Sequence, residues 1–251
     1  MPGGERDTVT YCVGVLLEDG IVMGSDSRTN AGLDDVASFC KMTVFERPGD
    51  RVLVLLSSGT LAGTQAVISL LTQAALAGDA PPSLYSARTM FEVACVVSDA
   101  MRATERRDKE HLERSSLAFN ASFILGGQIS GEPMRLFRIY AEGNFIEAGP
   151  DTTFFQTGET KYGKPILDRV IDRSTSLDDA AKCMLVSFDS TMRSNLSVAM
   201  PIDLLCYERD ALVIRKRLRF EPGNPYFGAL SKKWSEGVRA AFKELPDPLW
   251  T

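Results

Sequence analysis

Apolar and polar positions alternate from Val9 to Leu17, where β-branched residues are frequent, and the alternation resumes from Ile21 to Asp26. The turn signal Glu18-Asp19-Gly20 between the two runs makes this a predicted β-hairpin. A second hairpin is expected from Lys41–Phe45 and Arg51–Leu56, joined around Pro48-Gly49-Asp50. Beyond Gly59 the period changes, and Leu61, Val67, Leu70 and Leu71 recur at helical spacing. Pro81-Pro82 ends that helix. Ser83 is expected to open a second, longer one running towards His111, with Met90, Val93, Val97 and Met101 on its apolar face. Short strands follow at Phe119–Gln128, Met134–Tyr140 and Asn144–Ile146. Helices at Tyr162–Asp172 and Leu177–Met192 come next, and strands at Pro201–Tyr207 and Ala211–Phe220 close the pattern.

Strands, two helices, strands, two helices and strands can bury all their apolar faces in one arrangement. Two sheets pack face to face and each carries helices on its outer side, which predicts an α+β fold of the four-layer αββα sandwich type. Residues 10–220 make up this domain. Residues 1–9 form an N-terminal extension, and residues 221–251 a C-terminal extension with an amphipathic segment, Leu230–Phe242, and the tail Pro246-Asp-Pro-Leu-Trp250. Trp234, Val238, Phe242 and Trp250 can pack on the domain's own helices or on a neighbouring subunit. The enrichment of tryptophan at interfaces makes the subunit contact the sharper reading.

Composition narrows the function classes. Apolar residues are 44% and charged residues 24% of 251, ordinary values for a globular chain. A net charge of −5 argues against nucleic acid as a partner, and the basic run Ile214–Arg219 fits a solvated or subunit-facing strand better. No apolar run approaches the ~20 residues that cross a bilayer, so no membrane association is expected. The first residues have no apolar core of the signal-peptide kind. The five cysteines are scattered, with no CxxC and no Cys/His cluster, so neither a zinc site nor a disulfide framework is predicted. They read as reduced thiols of a cytoplasmic protein. Gly126-Gly127 and the stretch Gly158–Lys164 lack phosphate-loop spacing, and no cofactor or metal is expected. His111 is the only histidine and has charged helical neighbours, so it reads as a surface group and not as the base of a Ser-His-Asp site.

The chemistry lies elsewhere. Thr10 opens the first strand, Asp26 and Arg28 end the second, Lys41 precedes the third, and Gly59 leads into a helix. Taken singly, Thr10 is an ordinary β-former, Asp26 and Arg28 are strand-end charges, and Lys41 is a solvated lysine. Taken together, in this order, they suit a hydrolase whose N-terminal threonine is both nucleophile and base. Thr10 to Arg28, Ser58-Gly59-Thr-Leu-Ala-Gly-Thr64-Gln65-Ala and Gly158-Glu-Thr-Lys-Tyr-Gly-Lys-Pro-Ile-Leu-Asp-Arg169 resemble proteasome β-type subunits of the N-terminal-nucleophile hydrolases. The third segment points within that family to the bacterial Anbu group. The resemblance covers about Thr10 to Phe220.

The resemblance implies roles for the site residues. A free α-amine on Thr10, with a pKa near roughly 8, takes the hydroxyl proton at neutral pH. Lys41 places a positive charge beside the threonine, and Asp26 holds that charge through an ion pair. Gly59 offers its N–H to the oxyanion, and Arg28 braces the site. The family's departures here are specific. Lys41 lies one residue nearer the threonine than is usual, and Gly158-Glu159-Thr160 stands for Gly-Ser-Gly beside the nucleophile. Ser194-Asn195-Leu196-Ser197 stands for Asp-x-x-Ser, keeping Ser197 but losing the aspartate. An attenuated or differently tuned site is expected. The family also implies rings or open spirals of identical subunits acting on peptides or proteins, with an unfoldase partner left open. The alternatives are an amidohydrolase acting on a small non-peptide amide and a non-catalytic scaffold subunit.

Nine residues precede Thr10, and while they remain its nitrogen is an amide. Self-cleavage at Val9–Thr10 is disfavoured by the β-branched valine. The expectation is that Val9 marks the initiator, read as methionine from GTG, and that trimming of a Met-Thr start exposes Thr10. The alternative is a retained tail on an inactive subunit.

Overall fold

A computed structural model describes residues 10–30, 36–77, 82–114 and 118–250. Residues 1–9, and with them the Val9–Thr10 junction, lie outside the described residues. The chain begins with β1 (Tyr11–Leu16) and β2 (Gly20–Asp26), the short pair β3 (Arg28–Asn30) and β4 (Val36–Ser38), and then β5 (Met42–Arg47) and β6 (Arg51–Gly59). Helices α1 (Leu61–Leu76) and α2 (Met90–Arg114) lead to β7 (Ala121–Ile129), β8 (Arg135–Ile139), β9 (Phe145–Glu147) and β10 (Phe154–Gly158). Helices α3 (Lys164–Val170) and α4 (Leu177–Ser194), strands β11 (Ile202–Glu208) and β12 (Lys216–Phe220), and helix α5 (Pro225–Lys243) complete it.

Two antiparallel five-stranded sheets, ordered β10-β1-β2-β11-β12 and β5-β6-β7-β8-β9, form the centre, and β3 and β4 pair separately. Three apolar clusters define the layers. One packs the outer side of the first sheet (Val13, Val15, Leu204) on α3 and α4 (Leu167, Met184, Phe188). Another packs the second sheet (Leu53, Leu125, Phe137) on α1 and α2 (Val67, Leu71, Val97). The third lies between the sheets, where Cys12, Ile21 and Met23 meet Val52, Val54 and Ile124. Strict alternation in β1 and β6 sends neighbouring side chains into different clusters, so both faces of these central strands are buried. This is the expected αββα sandwich of an α+β fold.

Several boundaries differ from the periodicity, for local reasons. The long helix does not open at Ser83. Ser83 and Ser86 exchange side-chain and backbone hydrogen bonds in a separate turn. The helix starts at Met90, where the Thr89 hydroxyl accepts from the Glu92 N–H at 3.1 Å and the Glu92 carboxylate accepts from the Arg88 N–H at 2.6 Å. The segment expected at Tyr162–Asp172 shortens to α3. The strand expected from Ala211 begins only at Lys216, because Asp210 and Leu212 take left-handed φ of 60° and 46°. The Leu212 N–H there donates to the Tyr207 hydroxyl at 3.2 Å. Helix α5 is longer than the amphipathic segment; Asn224 caps it, its side chain accepting from the Phe227 N–H at 3.1 Å. Strands β3, β4 and β10 were not expected at all. β10 places two phenylalanines side by side and hides any alternation, yet it pairs along β1 from Tyr11↔Gly158 to Val15↔Phe154.

Candidate active site

Thr10 lies buried immediately before β1, between the edge strand β10 and the hairpin partner β2. Its carbonyl oxygen accepts from the Glu159 N–H at 2.6 Å. Gly158 makes this contact possible: at φ +78° it takes a conformation glycine favours, and a Cβ there would stand 2.0 Å from the Thr10 oxygen. The Glu159 carboxylate then organises the turn after β10. One oxygen accepts from the N–H groups of Thr160 and Lys161 at 2.8 and 2.7 Å, and the other accepts from the Asn195 amide at 3.0 Å. The Asn195 carbonyl in turn accepts from the Ser197 N–H at 3.0 Å. Ser194 is exposed at the last turn of α4, and Asn195 after it links α4 to the turn that follows β10.

The register of β1 on β2 places Cys12 opposite Ser25 and brings Asp26 back to the start of β1. Asp26 is fully buried, and one of its oxygens accepts from the Tyr11 N–H at 3.0 Å and from Lys41 Nζ at 2.7 Å. Its other oxygen accepts from the Arg28 N–H at 3.3 Å. Lys41 Nζ also donates to the Arg28 carbonyl at 2.6 Å. Arg28 thus serves the site through its backbone. A buried charge needs such a full set of partners. Burial pushes the Asp26 carboxyl above its ordinary value, against the opposing pull of Lys41 and of the Tyr11 and Arg28 N–H groups.

The second sheet closes on the same point. The Lys41 carbonyl accepts from the Ser57 N–H at 2.9 Å. One residue on, the hydroxyls of Ser58, Ser122 and Thr157 form a closed triangle with sides of 2.8 Å. The triangle ties β6 and β7 to β10, next to Gly158. Gly59 follows at the end of β6 with φ +111°, and a Cβ on it would stand 2.3 Å from the Asn120 oxygen. Its neighbour Thr60 sits at the N-cap position of α1 without a side-chain cap, and donates its N–H at 2.7 Å and its hydroxyl at 3.1 Å to that same oxygen. Thr10, Asp26, Lys41, Gly59, Gly158 and Glu159 therefore converge on one end of the sandwich.

Burial pushes the Cys12 thiol up, and partial desolvation also raises that of Cys40, an exposed residue. His111 is exposed on α2, in the other helical layer. Among the described residues, no group of three or more His, Cys, Asp or Glu side chains could hold a metal ion. No helix among them is long and apolar enough to cross a membrane. Sequence reasoning missed the hydroxyl triangle and the Glu159–Asn195 link. Small polar residues inside strands carry no periodic signal, and their partners lie 35 to 99 residues away.

No family model and no curated protein matches the chain. Solved structures do. An Anbu (Gly-1) mutant from Hyphomicrobium sp. strain MC1 is 50% identical over 95% of this chain and 99% of its own, with a TM-score of 0.88. The Anbu (ancestral beta-subunit) from Yersinia bercovieri is 44% identical over 96% and 100%, with a TM-score of 0.90. Anbu from Pseudomonas aeruginosa, solved as a helical assembly, is 45% identical over 96% and 99%, with a TM-score of 0.91.

Proposed function

The chain belongs to the Anbu family of proteasome-type proteins, and on that premise we propose that it is a threonine hydrolase of peptide amide bonds working in a homo-oligomer. The observation that carries this reading is the buried Lys41 ammonium, 2.7 Å from Asp26 and 2.6 Å from the Arg28 carbonyl, beside the residue that follows Thr10. Burying such a pair costs desolvation that a solvated lysine avoids, so the arrangement is better explained by a task than by stability. A scaffold has no need of it.

In the proposed reaction the α-amine of Thr10, freed of the residues before it, takes the hydroxyl proton. Thr10 Oγ1 then attacks the scissile carbonyl carbon. The Gly59 N–H stabilises the developing oxyanion, a donor of the kind that supplies about 3 kcal/mol. The ammonium returns its proton to the leaving amine, leaving an acyl ester on Thr10. Water, activated by the same amine, hydrolyses the ester and regenerates the hydroxyl. Lys41 and Asp26 react with nothing; they keep a positive field beside the amine and hydroxyl. The homo-oligomer follows from the Pseudomonas relative, which assembles helically.

The test is mass spectrometry of natively expressed protein treated with a threonine-directed electrophile. A chain beginning at Thr10 with the adduct on that residue supports the reading. An active chain with residues 1–9 still attached, or a free Thr10 that takes no adduct, sinks it. A panel of peptides and small amides then identifies the substrate class, and hydrolysis of small amides alone would favour the amidohydrolase.

A further inference from the structure

Helix α5 packs on the domain through its first three turns: Phe227 is buried, Leu230 half-buried, Ser231 accepts from Arg193, and Trp234 lines a cavity with Ile166 and Val186 of α3 and α4. Further along, the same stripe emerges at Val238 and Phe242. Past the helix, Leu245, Leu249 and Trp250 are 63%, 92% and 91% exposed. An apolar tail this exposed suits an interface better than solvent. Its sequence, Leu245-Pro-Asp-Pro-Leu-Trp250, has no helix or strand, and its prolines favour an extended polyproline II path.

At the opposite end of α5 is a groove that fits such a segment. A cavity of about 840 Å³ opens between α4, β12 and the start of α5. Its floor is Leu204, Leu218, Phe220 and Tyr226, and the Phe220 and Tyr226 rings stack with centroids 6.1 Å apart. Aromatic-lined grooves of this kind take proline-rich segments. Arg215 stands exposed on its rim, with no acidic partner among the described residues. Its neighbour Lys216 is held by Glu208 and by Asp178, which also lines the groove. Arg217 stands opposite Leu205 in the strand pairing and so projects from the other face of β12. The tail carries Glu244 and Asp247 and no basic residue after Lys243.

The tail cannot fill the groove of its own chain. The 19 residues of α5 span about 28 Å. The six residues Leu245–Trp250, running back as polyproline II, cover about 19 Å. We propose that Leu245–Trp250 of one copy docks as an extended strap in the groove of the next copy, with Leu249 and Trp250 on the aromatic floor and Asp247 facing Arg215. Groove and tail lie at opposite ends of one helix, so the contact is head-to-tail and propagates into a ring or an open helix. This rests on the homo-oligomeric reading and not on the hydrolytic one.

Sedimentation velocity on the full chain tests it, with thermal unfolding as the check on folding. Leu249→Ala/Trp250→Ala and Arg215→Glu should each raise the protein concentration needed for assembly by about tenfold or more. Both should leave the unfolding temperature of the unassembled chain, measured below the assembly concentration, unchanged. Adding Asp247→Arg to the arginine reversal should restore assembly. The proposal is overturned if the unaltered chain sediments as a monomer, or if assembly ignores the tail variant. Loss of assembly on the tail variant without any response to the arginine reversal, or without rescue, also overturns it and places the tail on another surface or partner. Thr10 labelling is read separately, so intact assembly without labelling strikes only the hydrolase reading.

Discussion

Asp26 and Lys41 meet at 2.7 Å inside the sandwich, the carboxylate wholly buried and the lysine side chain 8% exposed. The same carboxylate oxygen accepts from the backbone of Tyr11, so the pair is fastened to the strand that carries the proposed nucleophile. Removing one partner strands a charge. Lys41→Ala should therefore destabilise the fold by about 3–5 kcal/mol and abolish Thr10 labelling. Asp26→Asn/Lys41→Met, which removes both charges, should recover much of the stability in urea unfolding and none of the labelling. A double variant no more stable than Lys41→Ala would contradict this account of the pair.

The pH response follows from the raised Asp26 carboxyl. Protonation as the pH falls removes the counter-ion of Lys41, and it does so above the ordinary aspartate value of 3.8. The Thr10 amine, a base with a pKa of roughly 8, starts the acid limb of the labelling rate, and protonation of Asp26 should add a second loss above that aspartate value. Stability moves the other way. The folded state holds the Asp26 proton more tightly than the unfolded chain, so this group's contribution is fully present at low pH and is lost as pH rises through its folded value. Labelling should fall on acidification before the unfolding temperature does, as parallel measurements on the same samples will show. A simultaneous fall would locate the acid limb in global unfolding.

Gly158 and Gly59 take backbone conformations that a side chain strains, and both press on carbonyl oxygens. Gly158→Ala should push the Thr10 carbonyl away from the Glu159 N–H, costing about 1–3 kcal/mol and most of the labelling rate. Gly59→Ala should cost a similar amount through Asn120. Alanine variants with unaltered unfolding midpoints would show these contacts to be more yielding than the structure implies.

Asn195 offers a milder test. Asn195→Ala removes the side chain that holds one Glu159 oxygen. The other oxygen keeps its two backbone donors. A stability loss of about 1 kcal/mol is expected, together with a larger proportional loss in labelling rate, because the Glu159 N–H positions Thr10. Asn195→Asp should not restore the rate, since it sets two carboxylates face to face. Equal labelling by the alanine variant and the unaltered chain would remove Asn195 from the positioning role.

The triangle of Ser58, Ser122 and Thr157 should behave non-additively. Each hydroxyl has both others as partners, so a single Ser58→Ala or Thr157→Val leaves two with an incomplete set, at about 1–2 kcal/mol each. Replacing all three by Ala, Ala and Val should cost well under the sum of the single losses. Additive losses in chemical unfolding would mean the hydroxyls do not act as a unit.

Much of this protein is a property of the sequence alone. Alternation in β1, β2 and β6 and the helical periods of α1, α2 and α4 set the elements, because those patterns record which face must leave water. The intervals from Thr10 to Asp26, Lys41 and Gly59 were legible too, since a hairpin and the next strand return the chain to one end of the sheets. Tertiary structure decided what depended on distant partners. β10 exists as a strand because β1 offers it an edge. Asp26 is a partnered buried charge only because the fold brings Lys41, 15 residues on, to its carboxylate. Asn195 matters because Glu159, 36 residues away, lies within reach of its amide. The tail beyond α5 shows the same limit from the other side. Its apolar residues were visible in the sequence, but only the fold places them about a helix length from the groove that suits them. Local patterns encode burial; which buried or exposed groups meet is decided when the layers pack.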